Sequence, residues 1–164
     1  MTPEDTHISN QDRAFMQRAI DLSIENVANG GGPFGAVIVR DGEIIATGVN
    51  RVTANNDPTA HAEVNAIRAA CSRLASFKLT GCTIYTSCEP CPMCLSAIYW
   101  AGISRIFYGN TKEDAEAIHF GDKFIYEEID REPATRSIPT RMMMREQALR
   151  AFRAWEAKTD KIEY

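Results

Sequence analysis

The sequence predicts one α/β domain with helices on both faces of a sheet. Three observations carry this. Apolar residues recur at helical spacing near the start; a β-branched hairpin follows; strand-like and helix-like segments then alternate. From Gln11 to Ala28, the residues Phe15, Met16, Ala19, Ile20, Ile24 and Val27 recur at intervals of three and four, as in an amphipathic helix with that face buried. Asn29-Gly30-Gly31-Gly32-Pro33 ends it. Phe34–Arg40 and Glu43–Val49 are strand-like runs joined by Asp41-Gly42, a pair suited to the positive φ of a tight hairpin turn. Asn50–Asp57 reads as loop. Asp57-Pro58-Thr59 then offers a cap with proline just inside a helix expected over about Thr59–Leu74.

Further along, Cys82–Ser87 predicts a strand, Cys88-Glu89-Pro90 a turn, Pro92–Trp100 a helix and Arg105–Tyr108 a short strand. The signal weakens after Gly109. Asp114–Ile118 and part of Phe120–Asp130 read as short helices. Ile138–Met144 is expected to be a last strand. Arg145–Lys158 is expected to be a helix burying Ala148, Leu149, Phe152 and Trp155.

At 164 residues, 45% hydrophobic and 24% charged, the chain has the size and composition of one globular domain. No apolar stretch approaches the ~20 residues that a membrane-spanning helix needs. The polar, acidic start MTPEDTHISN is unlike a secretory leader, so a cytoplasmic location is expected. His7 falls in that start and reads as disordered; His119 reads as a surface residue. A net charge of -4 argues against a nucleic-acid partner, since phosphate binding normally calls for a basic face.

Cys71, Cys82, Cys88, Cys91 and Cys94 make an odd set, three of them within seven residues, which points to metal or thiol chemistry before disulfides. Thr59-Ala60-His61-Ala62-Glu63 and Cys88-Glu89-Pro90-Cys91-Pro92-Met93-Cys94 each sit at an expected helix start. Cys91 and Cys94, three apart in a first turn, project from one helix face, where the dipole favours thiolates. With His61 they form a three-ligand set suited to zinc, and a fourth tetrahedral position left to water is the mark of a catalytic site. Glu63 is placed to carry protons without being a ligand.

A lone C-x-x-C also occurs in redox motifs and structural zinc sites. A structural site would need a fourth ligand, and Cys88 is the candidate. Pro90 biases the chain before it to an extended form that carries Cys88 elsewhere. H-x-E with P-C-x-x-C is the signature of zinc deaminases.

On these motifs and the order of elements, the chain resembles the cytidine deaminase-like superfamily over most of its length. That resemblance implies a three-layer α/β/α sandwich around a mixed sheet of about five strands. Within the superfamily it looks like the bacterial guanine deaminases. The stretches concerned are Gly31–Val39, Asn56–Val64, Tyr85–Cys94, Asp122-Lys123-Phe124-Ile125-Tyr126 and the end at Tyr164. The first three are shared in part with tRNA adenosine deaminases.

The implied reaction is zinc-dependent hydrolysis of guanine to xanthine and ammonia, extending to related aminated heterocycles, with one zinc per subunit. Asp122 would bind substrate and help Glu63 move protons. Asn50 would hydrogen-bond the purine, and the Ala62 N–H would bind a heteroatom beside the metal. Phe34 and Trp100 are candidate stacking surfaces, Tyr164 a candidate lid, and Glu127 a further acid that would face the pocket.

Each has a plainer alternative. Asn50 can cap a turn, Phe34 and Trp100 can be core, and Asp122 can be a solvated loop acid. The resemblance also implies a homodimer in which the segment from about 131 to 164 is exchanged, with Arg131–Pro139 as hinge. Two other functions stay open: deamination of tRNA adenosine or free cytosine, and a non-enzymatic zinc or interaction module.

Overall fold

The computed structural model describes residues 8–164, so His7 lies outside the described residues. The chain divides into two compact units, Met1–Asp122 and Lys123–Tyr164.

The first unit begins with helix α1 (Asn10–Ala28), started by a capping box in which Ser9 and Asp12 exchange bonds. Strands β1 (Gly35–Arg40) and β2 (Glu43–Val49) form the expected hairpin, with Asp41 and Gly42 both at positive φ. A short helix α2 (Val52–Asn55) lies in the stretch expected to be loop. Helix α3 (Ala62–Leu74), strand β3 (Thr83–Cys88), helix α4 (Pro92–Ala101), strand β4 (Arg105–Asn110) and helix α5 (Lys112–Ala117) complete it.

The sheet has the order β2-β1-β3-β4 and is mixed: β1 is antiparallel to β2 and β3, and β3 is parallel to β4. Alternation along β1 divides the core. Val37 and Val39 join Ala19, Leu22 and Tyr85 under α1, while Ala36 and Ile38 join Ala62, Ala66, Ala70 and Ile98 under α3 and α4. The layers are thus α1, the sheet, and α3 with α4.

Four expectations are corrected. The sheet has four strands among the described residues rather than about five, because Ile138–Met144 is irregular: Pro139 lacks a ladder donor and Met144 takes positive φ. The buried face of α1 is Ala19, Leu22, Ser23 and Asn26, with Ile24 and Val27 exposed. Small residues face the sheet because α1 lies so close to β1 that a Cβ on Gly35 would overlap the Ala19 carbonyl. Helix α3 starts at Ala62 rather than Thr59. Asp57 Oδ1 accepts from the Thr59 N–H (2.8 Å) and hydroxyl (2.7 Å), closing a turn upstream of the helix, and His61 takes the N-cap position.

The fourth concerns the second unit, which holds α6 (Lys123–Asp130), a 3₁₀ turn (Pro133–Thr135) and α7 (Arg145–Ala157). The expected burial of α7 is not seen: Ala148, Phe152 and Trp155 are exposed and Leu149 is half-buried. So short a unit has too little of its own to cover an apolar stripe. Its loop is tied by Glu128, whose carboxylate accepts from the Ser137 N–H (2.7 Å) and hydroxyl (3.0 Å) and pairs with Arg131 at 2.8 Å.

Candidate metal centre

Two helix starts meet at the C-terminal end of β3. His61 is the N-cap residue of α3 and Cys91 that of α4, both extended and neither capping its helix with a side-chain bond. Their side chains turn to each other and to Cys94, the third residue of α4. His61 Nδ1, Cys91 Sγ and Cys94 Sγ lie within 4.8 Å of one another, and each sulfur is 3.5 Å from Nδ1.

Tetrahedral zinc, with Zn–S of about 2.3 Å and Zn–N of about 2.0–2.1 Å, requires sulfur–nitrogen separations of about 3.5 Å. The donor set therefore fits zinc in both chemistry and spacing. Cys88 lies apart from this group; its Sγ is directed at the Thr111 carbonyl, 3.7 Å away.

The electrostatics suit a metal. The Cys94 thiol beside it pulls the Cys91 thiol down to about 4, against the opposing effect of burial, and His61 adds to the shift. Cys94 moves the other way, raised by its hydrogen bond to Cys91 and then by burial. His61 is raised, first by its contact with Cys91. Cys88 is pushed up to about 11 by burial, with the charges of Glu63 and Asp122 adding to it.

Glu63 is 7% exposed, and burial raises its carboxyl above the ordinary range. The Thr86 hydroxyl on β3 lies 3.0 Å from the Cys88 carbonyl and 3.3 Å from Glu63 Oε1, so its one proton is shared between two acceptors. Thr86 is not among the residues that the sequence marks for the site, because its partner Glu63 lies 23 positions away.

Asn50, at the end of β2, is buried. Its Oδ1 accepts from the Val52 N–H at 3.2 Å, and its own N–H donates to the Phe34 carbonyl at 3.2 Å. The turn-capping role is therefore present, with the amide NH2 as the donor left to offer. Phe34 is half-buried and meets Phe120 edge-to-face, with centroids 5.1 Å apart. Asp122, the last residue of the first unit, is half-buried, and its carboxyl is raised by burial and by the charge of Cys91.

Ala62 opens α3, where backbone N–H groups have no partner within the helix. Trp100 is not brought to the cluster. It lies at the far end of α4, about 9 Å along the axis from Cys94, and is 67% exposed. Glu127 on α6 and Tyr164 belong to the second unit and are exposed.

Residues 9–110 match the cytidine and deoxycytidylate deaminase zinc-binding region. The chain belongs to this family of zinc-dependent deaminases, and its cofactor is zinc. The chain is 53% identical over 151 residues to guanine deaminase of Bacillus subtilis strain 168, covering 92% of this chain and 97% of that protein. The crystal structure of Bacillus subtilis guanine deaminase superposes with a TM-score of 0.91 at 51% identity, covering 96% of this chain and 99% of the other. A tRNA-specific adenosine deaminase of Agrobacterium fabrum is 45% identical over 92 residues, covering 56% of this chain and 60% of its own. A structure solved in complex with 2,6-diaminopurine has a TM-score of 0.66 at 32% identity, covering 73% of this chain and 68% of that one.

Proposed function

We propose that this protein is a guanine aminohydrolase, converting guanine and water to xanthine and ammonia. The observation that carries the substrate is the 53% identity to a guanine deaminase across 92% of the chain. The metal group itself is common to the wider family. The bound 2,6-diaminopurine of the more distant structure supports a free purine base as ligand.

The site residues divide the work. His61, Cys91 and Cys94 hold zinc, which supplies the acidity that makes a water molecule reactive near neutral pH. A C2–O bond forms and the C2–N bond breaks. The protons released by water go to a ring nitrogen and to the departing amine. Glu63 is the group that carries them: it is a buried carboxyl two residues after His61 that is not itself in the metal group, and burial raises its pKa. The Thr86 hydroxyl contacts one of its oxygens at 3.3 Å.

Asn50 offers its NH2 to the purine, the Ala62 N–H binds a heteroatom beside the metal, and Phe34 forms a wall of the pocket. Asp122 assists proton movement; its raised carboxyl and its electrostatic reach to Cys91 support this. Trp100, Glu127 and Tyr164 complete the pocket only if another chain brings them to it.

That condition leads to the assembly. We infer that residues 1–164 are one deaminase domain and that the protein is a homodimer in which the segment from about 131 to 164 is exchanged. The exposed apolar side chains of α7 support it, because they require a partner surface. Related aminated heterocycles, including triazines, are further substrates of the proposed reaction. We take the enzyme to be cytoplasmic and not to use nucleic acid. No helix among the described residues is long and apolar enough to cross a membrane. The tRNA-enzyme match covers 56% of the chain, against 92% for the guanine deaminase.

The test is to follow ultraviolet absorbance of purified, zinc-loaded protein with guanine, adenine, cytosine and cytidine. Turnover of guanine is expected, and no turnover of it would remove the assignment. Deleting the last residues, including Tyr164, should raise KM or lower kcat with zinc content unchanged. Loss of zinc on that deletion would contradict a role confined to substrate.

A further inference from the structure

Asn26 stands outside every motif, on a helix that carries none of the metal group, yet it is buried at the last turn of α1. Its Nδ2 donates to two carbonyls, that of Gly32 at 2.8 Å and that of Asn50 at 2.9 Å. The Asn26 backbone carbonyl accepts from the Gly31 N–H at 2.8 Å. One amide therefore joins α1, the glycine loop and the end of β2. Its orientation admits no alternative, because only the NH2 can donate to two carbonyl oxygens.

The loop is shaped around it. A Cβ on Gly31 would overlap the Asn26 amide. A Cβ on Gly32 would sit 3.1 Å from Asn50 Cγ and 3.2 Å from its Oδ1. Asn50 is thus held on three sides: by Asn26 at its carbonyl, by Val52 at Oδ1 (3.2 Å), and by Gly32 against its side chain. The Val52 N–H needs an acceptor, so the Asn50 oxygen must face it, and the NH2 is what the amide can present.

We propose that Asn26 is a positioning residue that acts through Asn50, fixing its amide as a hydrogen-bond donor toward an acceptor atom of the base. This rests on the reading of Asn50 as a substrate contact. The consequence is specificity: a base offering a carbonyl oxygen or an unprotonated ring nitrogen at that point is favoured over one offering N–H. A buried donor facing another donor leaves both unpaired.

A double-mutant cycle tests this on zinc-loaded full-length protein. It is run on whichever of guanine, adenine and cytosine the wild type hydrolyses, so that a wrong base sinks the proposed function alone. Asn50→Ala should lower kcat/KM about tenfold or more, the scale of one directed hydrogen bond. Asn26→Asp keeps the shape but sets a carboxylate against two carbonyls, and it should also cost about tenfold with zinc content unchanged. The Asn26→Asp, Asn50→Ala double variant should be no slower than Asn50→Ala alone. Multiplying losses, about a hundredfold together, would show that Asn26 acts elsewhere and overturn the proposal.

Should Asn26→Asp fail to fold, Gly32→Ala makes the same test from the loop side. The added Cβ should displace the Asn50 amide and lower kcat/KM in the wild-type background. It should have no effect once Asn50 is alanine. An equal loss in both backgrounds would overturn the proposal as well.

Discussion

The two faces of the sheet share a device and differ in what surrounds it. Each seats a helix on a strand glycine, α1 on Gly35 of β1 and α3 on Gly48 of β2. Around the α1 contact the core is aromatic: Tyr85 stacks on Phe107 with centroids 5.1 Å apart and meets Phe15 at 5.4 Å. Around the α3 contact it is aliphatic, with Ala62, Ala66 and Ala70 packed among Ile38, Leu79, Ile84 and Ile98. Only the second face carries two helix starts, those of α3 and α4, and there His61 faces Cys91 and Cys94. Chemistry sits on that face because two helix N-termini converge on one ion site.

Removing a ligand should break the contrast most sharply. Cys91→Ala is expected to lose zinc, and with it all activity and part of the thermal stability, as read by metal analysis and a melting curve. Next comes Glu63→Gln, which should keep zinc yet reduce kcat at least ~10²-fold, the usual scale for a general acid–base group. Activity near wild type would take Glu63 out of that role.

Gly48→Ala should come third. Its Cβ would overlap the Ala62 carbonyl and the Ala66 nitrogen, so α3 must move away at a cost of about 1–3 kcal/mol. Weaker zinc retention is expected to accompany the lower Tm. On the opposite face, Tyr85→Phe removes only the 2.6 Å bond from the phenol to Asp12. About 1 kcal/mol of stability should go, with kcat untouched. An effect on kcat would mean that the faces are not separable.

The smallest effect is one of pH. Burial alone would raise the Asp12 carboxyl, but bonds from Ser9 and Tyr85 outweigh it and hold the group below 3.8. A depressed folded pKa gives stability that is present above the unfolded value and lost as pH falls through the folded one. Acid unfolding below about pH 4 should therefore begin at higher pH in Tyr85→Phe than in wild type.

Local sequence made much of this legible. The Asp41-Gly42 hairpin, the start of α4 and the His61-x-Glu63 and Cys91-x-x-Cys94 spacings are all short-range patterns whose physical requirements can be read from neighbouring residues. What escaped depends on distance. Thr86 and Asn26 act on groups 23 and 24 positions away, and nothing near them in the chain signals it. The buried face of α1 is hidden from local sequence for the same reason: Ile24 and Val27 are more apolar than Ser23 and Asn26, but close contact with β1 selects small side chains. Ile138–Met144 has strand-like residues, yet Pro139 cannot join a ladder. The α7 helix is legible in Arg145–Lys158, but the burial expected of Ala148, Leu149, Phe152 and Trp155 is not seen, and no local pattern distinguishes a covered apolar stripe from an exposed one.

The most direct measurement of the central claim combines metal content with turnover on one preparation. Wild type should carry one zinc per subunit and convert guanine to xanthine with release of ammonia, and Glu63→Gln should carry the same zinc and convert almost none. Zinc-loaded wild type that leaves guanine unchanged, or a Glu63→Gln variant that matches it, would contradict the account.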